Sequence, residues 1–207
     1  MERSLDWIAE ALLIPSAGWS SQLARWISII GHPFVMVAIM VGSAAVRLEP
    51  SAHAARSVWT VLLITVVPVA LLMARQVRRG AWENVDASNA RERPILFACG
   101  AGALIILIGY FLIFNPDSPM IRGAVGVLAM LAVCALATRR LKVSLHMAFA
   151  TLTTTMLILI GARIGWLVLA FLPVLAWSRL SLKRHRPAEL LAGVLIGVAT
   201  GLAIHSL

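Results

Sequence analysis

A nucleophile, a carboxylate and several cations fall within one short stretch of the chain, Ser178-Arg179-Leu180-Ser181-Leu182-Lys183-Arg184-His185-Arg186-Pro187-Ala188-Glu189. The stretch lies between an apolar run ending at Trp177 and another beginning at Leu190. Pro187 suits the first turn of a helix, where its missing N–H is not needed. A helix starting there carries Glu189 about one turn past His185. The carboxylate can then accept a hydrogen bond from one ring nitrogen and leave the other bare, and an imidazole held that way is a nucleophile.

Two other places carry polar residues at the mouths of apolar runs: Val143-Ser144-Leu145-His146 and Arg93-Pro94. Together the three stretches resemble the motifs of the type 2 phosphatidic-acid phosphatase superfamily of membrane enzymes. The third motif of that family reads Ser-Arg, five residues, His, three residues, Asp. Every spacing is matched here, with Glu189 in place of the Asp. The second motif, Pro-Ser-Gly-His, aligns with Val143 to His146, which keeps Ser144 and His146 and lacks the Pro and Gly. A bare glycine backbone lets an amide approach a phosphate oxygen closely, and that device is missing. The first motif is Lys, six residues, Arg-Pro. Arg93-Pro94 supplies its end, but Asp86 stands at the lysine position. Arg91, Arg78 and Arg79 are candidates for the missing charge, and Asp86 with Glu92 is the alternative if a divalent ion carries the phosphate. The resemblance covers roughly residues 75 to 205.

The resemblance implies a concrete mechanism. His185 attacks phosphorus in line and becomes a phosphohistidine, with Glu189 orienting its ring. His146 protonates the leaving lipid oxygen and then activates water for the second step. Arg93, Arg179 and Arg91 hold the charge on the transferring group, and Ser144 and Ser178 add hydrogen bonds. No metal and no organic cofactor is required. The implied substrate is a lipid phosphate or a polyprenyl phosphate or diphosphate, met within the membrane lipids.

The elements that must position these groups follow from composition. Of the 207 residues 60 % are hydrophobic and 13 % charged, against roughly 45–50 % and about 25 % in soluble domains. The charges cluster between long uncharged runs, as in a polytopic membrane protein. A helix rising about 1.5 Å per residue needs roughly 17–25 apolar residues to cross the hydrocarbon. Runs of that kind lie at 26 to 46, 57 to 74, 95 to 114, 120 to 138, 146 to 177 and 188 to 206. The fifth is too long for one crossing and is broken at Gly161-Ala162-Arg163. The expected fold is therefore an all-α bundle of six or seven transmembrane helices in one domain over 1–207. Residues 1–24 read as an amphipathic interfacial helix, with Leu5, Ile8, Ala9, Leu12 and Leu13 on one face and Glu2, Arg3, Asp6 and Glu10 on the other. They lack the pattern of a cleaved secretory signal. Cys99 and Cys134 sit inside apolar runs, as buried small hydrophobes do.

Threading the runs alternately brings the loops at 75 to 94, 139 to 145 and 178 to 187 to the side of the N-terminus. These loops carry 12 of the 18 Lys and Arg residues. By the positive-inside rule that face is cytoplasmic, in an inner membrane. The net charge of +9 is explained by membrane orientation and anionic headgroups, and no nucleic-acid partner is expected. His32, His53 and His205 read as interfacial histidines, and the Trp residues near run ends as an aromatic belt. Two other functions compete. Asn84, Asp86, Ser88 and Glu92 loosely resemble the diphosphate-magnesium site of a prenyl transferase or terpene cyclase. Alternatively, the altered first and second motifs mark a pseudo-enzyme that binds or moves phospholipid.

Overall fold

The computed structural model describes residues 18–82 and 92–207. Nine α-helices follow one another, with no strand among the described residues: α1 Trp19–Ile30, α2 Pro33–Leu48, α3 Ser51–Val61, α4 Val67–Arg78, α5 Arg93–Phe114, α6 Met120–Ala137, α7 Leu145–Leu159, α8 Ile164–Ser181 and α9 Pro187–Ser206. The chain is a multi-pass integral membrane protein. Among the described residues six helical segments are long and apolar enough to cross a bilayer: Trp19–Leu48, His53–Arg78, Arg93–Phe114, Met120–Ala137, Ile164–Ser181 and Pro187–Ser206. Their large apolar side chains point outward, among them Ile105, Ile106, Ile113, Leu167 and Leu195. Such a surface is stable in lipid and not in water.

α7 has a different character. It is 15 residues long, shorter than the roughly 17–25 of a spanning helix, and ten of its residues are buried. It packs on α2, α8 and α9 and forms the centre of the bundle. The long fifth run is thus two helices, parted where Gly161 takes φ +71°, a conformation glycine adopts without penalty. The first two runs are longer than expected. Helix begins at Trp19, inside the segment read as amphipathic up to residue 24, and Ala24 is fully buried. Residues 1–17 of that segment lie outside the described residues. The second run extends over Arg56, Arg75 and Arg78 because cations tolerate the ends of a spanning helix, where they reach the interface.

α1 and α2 form one interrupted crossing. Gly31 fits the interruption because a Cβ there would strike the Leu175 side chain of α8. α3 and α4 are likewise continuous through a π-helical turn at Leu62–Val66 that precedes Pro68. Proline removes one N–H from the ladder, and a wider turn absorbs the mismatch. The tightest contact joins α7 to α9. Gly193, Gly197 and Gly201 form a stripe along α9, and a Cβ at Gly197 would collide with Thr151 Oγ1 and the Ala148 carbonyl. Small residues at such a seam let two backbones approach closely in a membrane, where packing drives association. Thr151 Oγ1 donates to the Met147 carbonyl at 2.7 Å and also reaches Val194 O at 3.4 Å.

The chain alternates direction through these helices. The N-termini of α5, α7 and α9 and the C-terminus of α8 therefore meet at one end of the bundle. At the other end, Glu49 Oε1 accepts from Ser118 Oγ at 2.7 Å, and Arg47 donates to the Ile160 carbonyl at 3.3 Å.

Candidate active site

The site end is built around the turn between α8 and α9. α8 stops in a Schellman arrangement: Lys183 N donates to Leu180 O at 2.9 Å and Arg184 N donates to Arg179 O at 3.1 Å. The same pair of bonds closes α4 at Gly80 and α7 at Gly161, both with positive φ. At this stop the left-handed residue is Lys183, with φ +52°. The chain then turns back so that His185 lies just ahead of α9. His185 Nδ1 is 2.8 Å from Glu189 Oε2, and the Arg186 N–H donates to the same oxygen at 3.2 Å. The glutamate therefore caps its own helix and fixes the ring. Its arm, longer by one methylene than an aspartate's, is what reaches back a full turn to both donors.

Burial lowers the His185 pKa to about 4; the Glu189 hydrogen bond opposes this, and the charges of Arg179, Arg93 and Lys142 reinforce it. At neutral pH the ring is neutral. With its proton on Nδ1 toward Glu189, the bare lone pair is on Nε2. The close pair is then a hydrogen bond from a neutral imidazole to a carboxylate, not an ion pair.

Three cations surround this histidine. Arg93, at the first turn of α5, is 3 % exposed, and its Nη1 donates to the Val143 carbonyl at 2.6 Å. Its buried Nε has no hydrogen-bond partner among the described residues. Arg179 is 1 % exposed and donates to Ser28 Oγ of α1 at 2.5 Å. Lys142 donates to the Arg184 carbonyl at 2.8 Å. Burial lowers the pKa of Lys142, the Glu189 charge raises it, and Arg93, Arg179 and Arg184 lower it. Among the described residues Arg93, Arg179 and Lys142 all act on the Glu189 and His185 pair, a cluster of cations of the kind that suits an anion.

α7 enters the site through Ser144, whose N–H donates to the Glu189 carbonyl at 3.1 Å and ties the α7 and α9 N-termini together. Its Oγ accepts the Met147 N–H at 3.4 Å as the helix cap. His146 is in the first turn of α7 and is buried. Its ring meets that of His32 edge-on, with centroids 5.3 Å apart. His32 caps α2, its Nδ1 accepting from Phe34 N at 3.3 Å.

The expected residues His185, Glu189, Arg93, Arg179, Ser144 and His146 therefore gather at one end of the bundle. Ser178 lies at the same end, in the last turn of α8. Its hydroxyl is fully buried and donates to the Ala24 carbonyl at 2.5 Å, so it joins α8 to α1. Arg91 lies outside the described residues, as do Asp86, Asn84 and Ser88. Among the described residues no three His, Cys, Asp or Glu side chains gather as a metal site. Two residues of this end were not among the expected site groups. Lys142 was one basic residue of a loop, and only its closeness in sequence to Ser144 hinted at more. His32 had no signal, because nothing in the chain links it to His146, 114 residues away.

No family model, curated protein or solved structure matches this chain.

Proposed function

We propose that the chain is a membrane phosphatase that removes phosphate from a lipid phosphate or a polyprenyl phosphate or diphosphate by way of a phosphohistidine. The observation that carries this reading is the His185 imidazole, fixed by Glu189 through Nδ1 so that Nε2 is left for a substrate, among Arg93, Arg179 and Lys142. His185 Nε2 attacks phosphorus and the bond from phosphorus to the leaving oxygen breaks. His146, as imidazolium, gives that oxygen its proton and the lipid alcohol departs. His146 then takes a proton from water, the hydroxide attacks phosphorus, and the P–N bond breaks to return His185 and release phosphate.

The guanidinium groups of Arg93 and Arg179 suit the spreading charge on the equatorial oxygens. Lys142 supplies the cation that Asp86 does not, and the resemblance to the lipid phosphatase motifs supports these roles. The bias of Lys and Arg to this end of the bundle supports a cytoplasmic active face in an inner membrane.

Phosphate release from a panel of lipid phosphates by the wild type and His185→Ala tests the reading. The expected loss is about three orders of magnitude or more, since covalent catalysis has no substitute nucleophile. Retained turnover in His185→Ala removes the mechanism.

A further inference from the structure

A cavity of about 190 Å³ runs through the bundle from the active-site end toward the opposite face. At the near end its wall includes His32, Phe34 and His146, and at the far end Leu48, Met120 and Ile204. Between them the lining is almost wholly apolar. The one hydroxyl at mid-depth, Thr65 in the π-helical turn, donates at 2.7 Å to the Val61 carbonyl and offers nothing to a polar guest. The cavity exceeds the roughly 150 Å³ engineered void that stays dry and takes up benzene. An apolar channel of this kind holds hydrocarbon in preference to water.

We infer that this cavity binds a single prenyl or alkyl chain and limits its length, so that the preferred substrate is a one-chain lipid phosphate and not a diacyl one. The inference rests on the phosphatase reading for one point: His146 protonates the leaving oxygen, so the chain on that oxygen starts where His146 lines the cavity. Depth sets the reach of the guest, and volume sets the number of chains. The lining runs from Leu96 to Leu107 on α5 and from Pro33 to Leu48 on α2, about 16 and 22 Å at the helical rise. An extended chain covers about 1.2 Å per bond, which gives about 13 to 18 carbons in the main chain. By volume, a void of roughly 150 Å³ takes one six-carbon benzene, so about 190 Å³ takes about eight carbons, the inner part of one chain and not two side by side.

The test uses the full chain in detergent micelles and single-chain alkyl monophosphates of increasing length, with a diacyl phosphatidic acid alongside. kcat/KM is expected to rise about threefold to fourfold per added carbon, to level off near about 16 carbons, and to lie more than about tenfold lower for the diacyl lipid. Ala124→Phe fills the far end, where Ala124 is buried beside Met120, and Gly123→Leu enters space in which a new Cβ meets no atom within 4 Å. Each is expected to shorten the optimal chain by several carbons while short substrates turn over as in the wild type. A flat length profile, or an optimum unmoved in both variants, overturns the inference and leaves the phosphatase standing.

A second measurement separates the two readings if no phosphate is released. A single-chain alkyl phosphonate carrying a diazirine at its tail is cross-linked to the purified protein. Labels on Leu104, Leu107 or Val127 support the cavity without any turnover. Labels confined to the outward Ile105 and Ile106 overturn it.

Discussion

Glu189 and His185 are the pair whose relation was most legible, because both lie on one local segment and Glu189, in the first turn of α9, reaches back to the groups just ahead of it. The 2.8 Å contact follows from the Pro187 start. The consequence for titration did not follow from sequence, since it depends on burial and on Arg179, Arg93 and Lys142 arriving from three other segments. Histidine-selective NMR in micelles is expected to show His185 titrating near pH 4, far below the ordinary value of about 6.5. Below that pH the ring is protonated and its lone pair is lost, so His185 sets the acid limb of phosphate release. Arg179→Gln removes a charge that lowers the His185 pKa and is expected to move the midpoint upward. An unmoved midpoint means that the guanidinium does not act on the ring. Glu189→Gln keeps the shape but weakens the hydrogen bond that raises the pKa, so the midpoint is expected to fall while turnover drops by about 10²-fold or more.

At the scale of elements, the stop of α8 carries the site and is strained. Lys183 holds the left-handed position that Gly80 and Gly161 hold elsewhere, at a cost of about 1–2 kcal/mol for a side chain with a Cβ. Lys183→Gly is expected to stabilise the protein by about 1 kcal/mol, read from thermal unfolding in detergent, and Lys183→Ala to give no such gain. A gain with alanine would show that the lysine charge, not its backbone, is at fault. The seam between α7 and α9 makes the opposite prediction. Gly197→Ala is expected to cost about 1–3 kcal/mol, because the new methyl meets Thr151 and the Ala148 carbonyl with no slack. Helix existence was readable from hydropathy, and the break at Gly161 from composition. Helix ends were not, since lipid-facing runs tolerate the Arg residues that appeared to close them.

Across the whole molecule, six spanning segments and the shorter α7 alternate in direction, which returns the N-termini of α5, α7 and α9 to the end where the candidate site groups gather. Orientation is tested there. In a chain with Cys99 and Cys134 replaced by alanine, Ser181→Cys is expected to react with an impermeant thiol reagent only after the cells are opened. Labelling of intact cells would put the site on the outer face and remove the basis of the positive-inside assignment.

The sequence by itself determined that this chain crosses a membrane repeatedly, since no soluble core can absorb so many uncharged runs, and it determined the His185 and Glu189 pair, since Pro187 opens a helix just past His185 and sets Glu189 in its first turn. Only the tertiary structure decided that α7 is the buried axis and that Ser178 is committed to Ala24. It also decided that Lys142 and His32 join the site and that an apolar cavity begins beside His146. Those are contacts between segments far apart in the chain. Hydropathy and spacing carry no information about which helix faces which, because in lipid that choice is made by close packing and by a few buried hydrogen bonds.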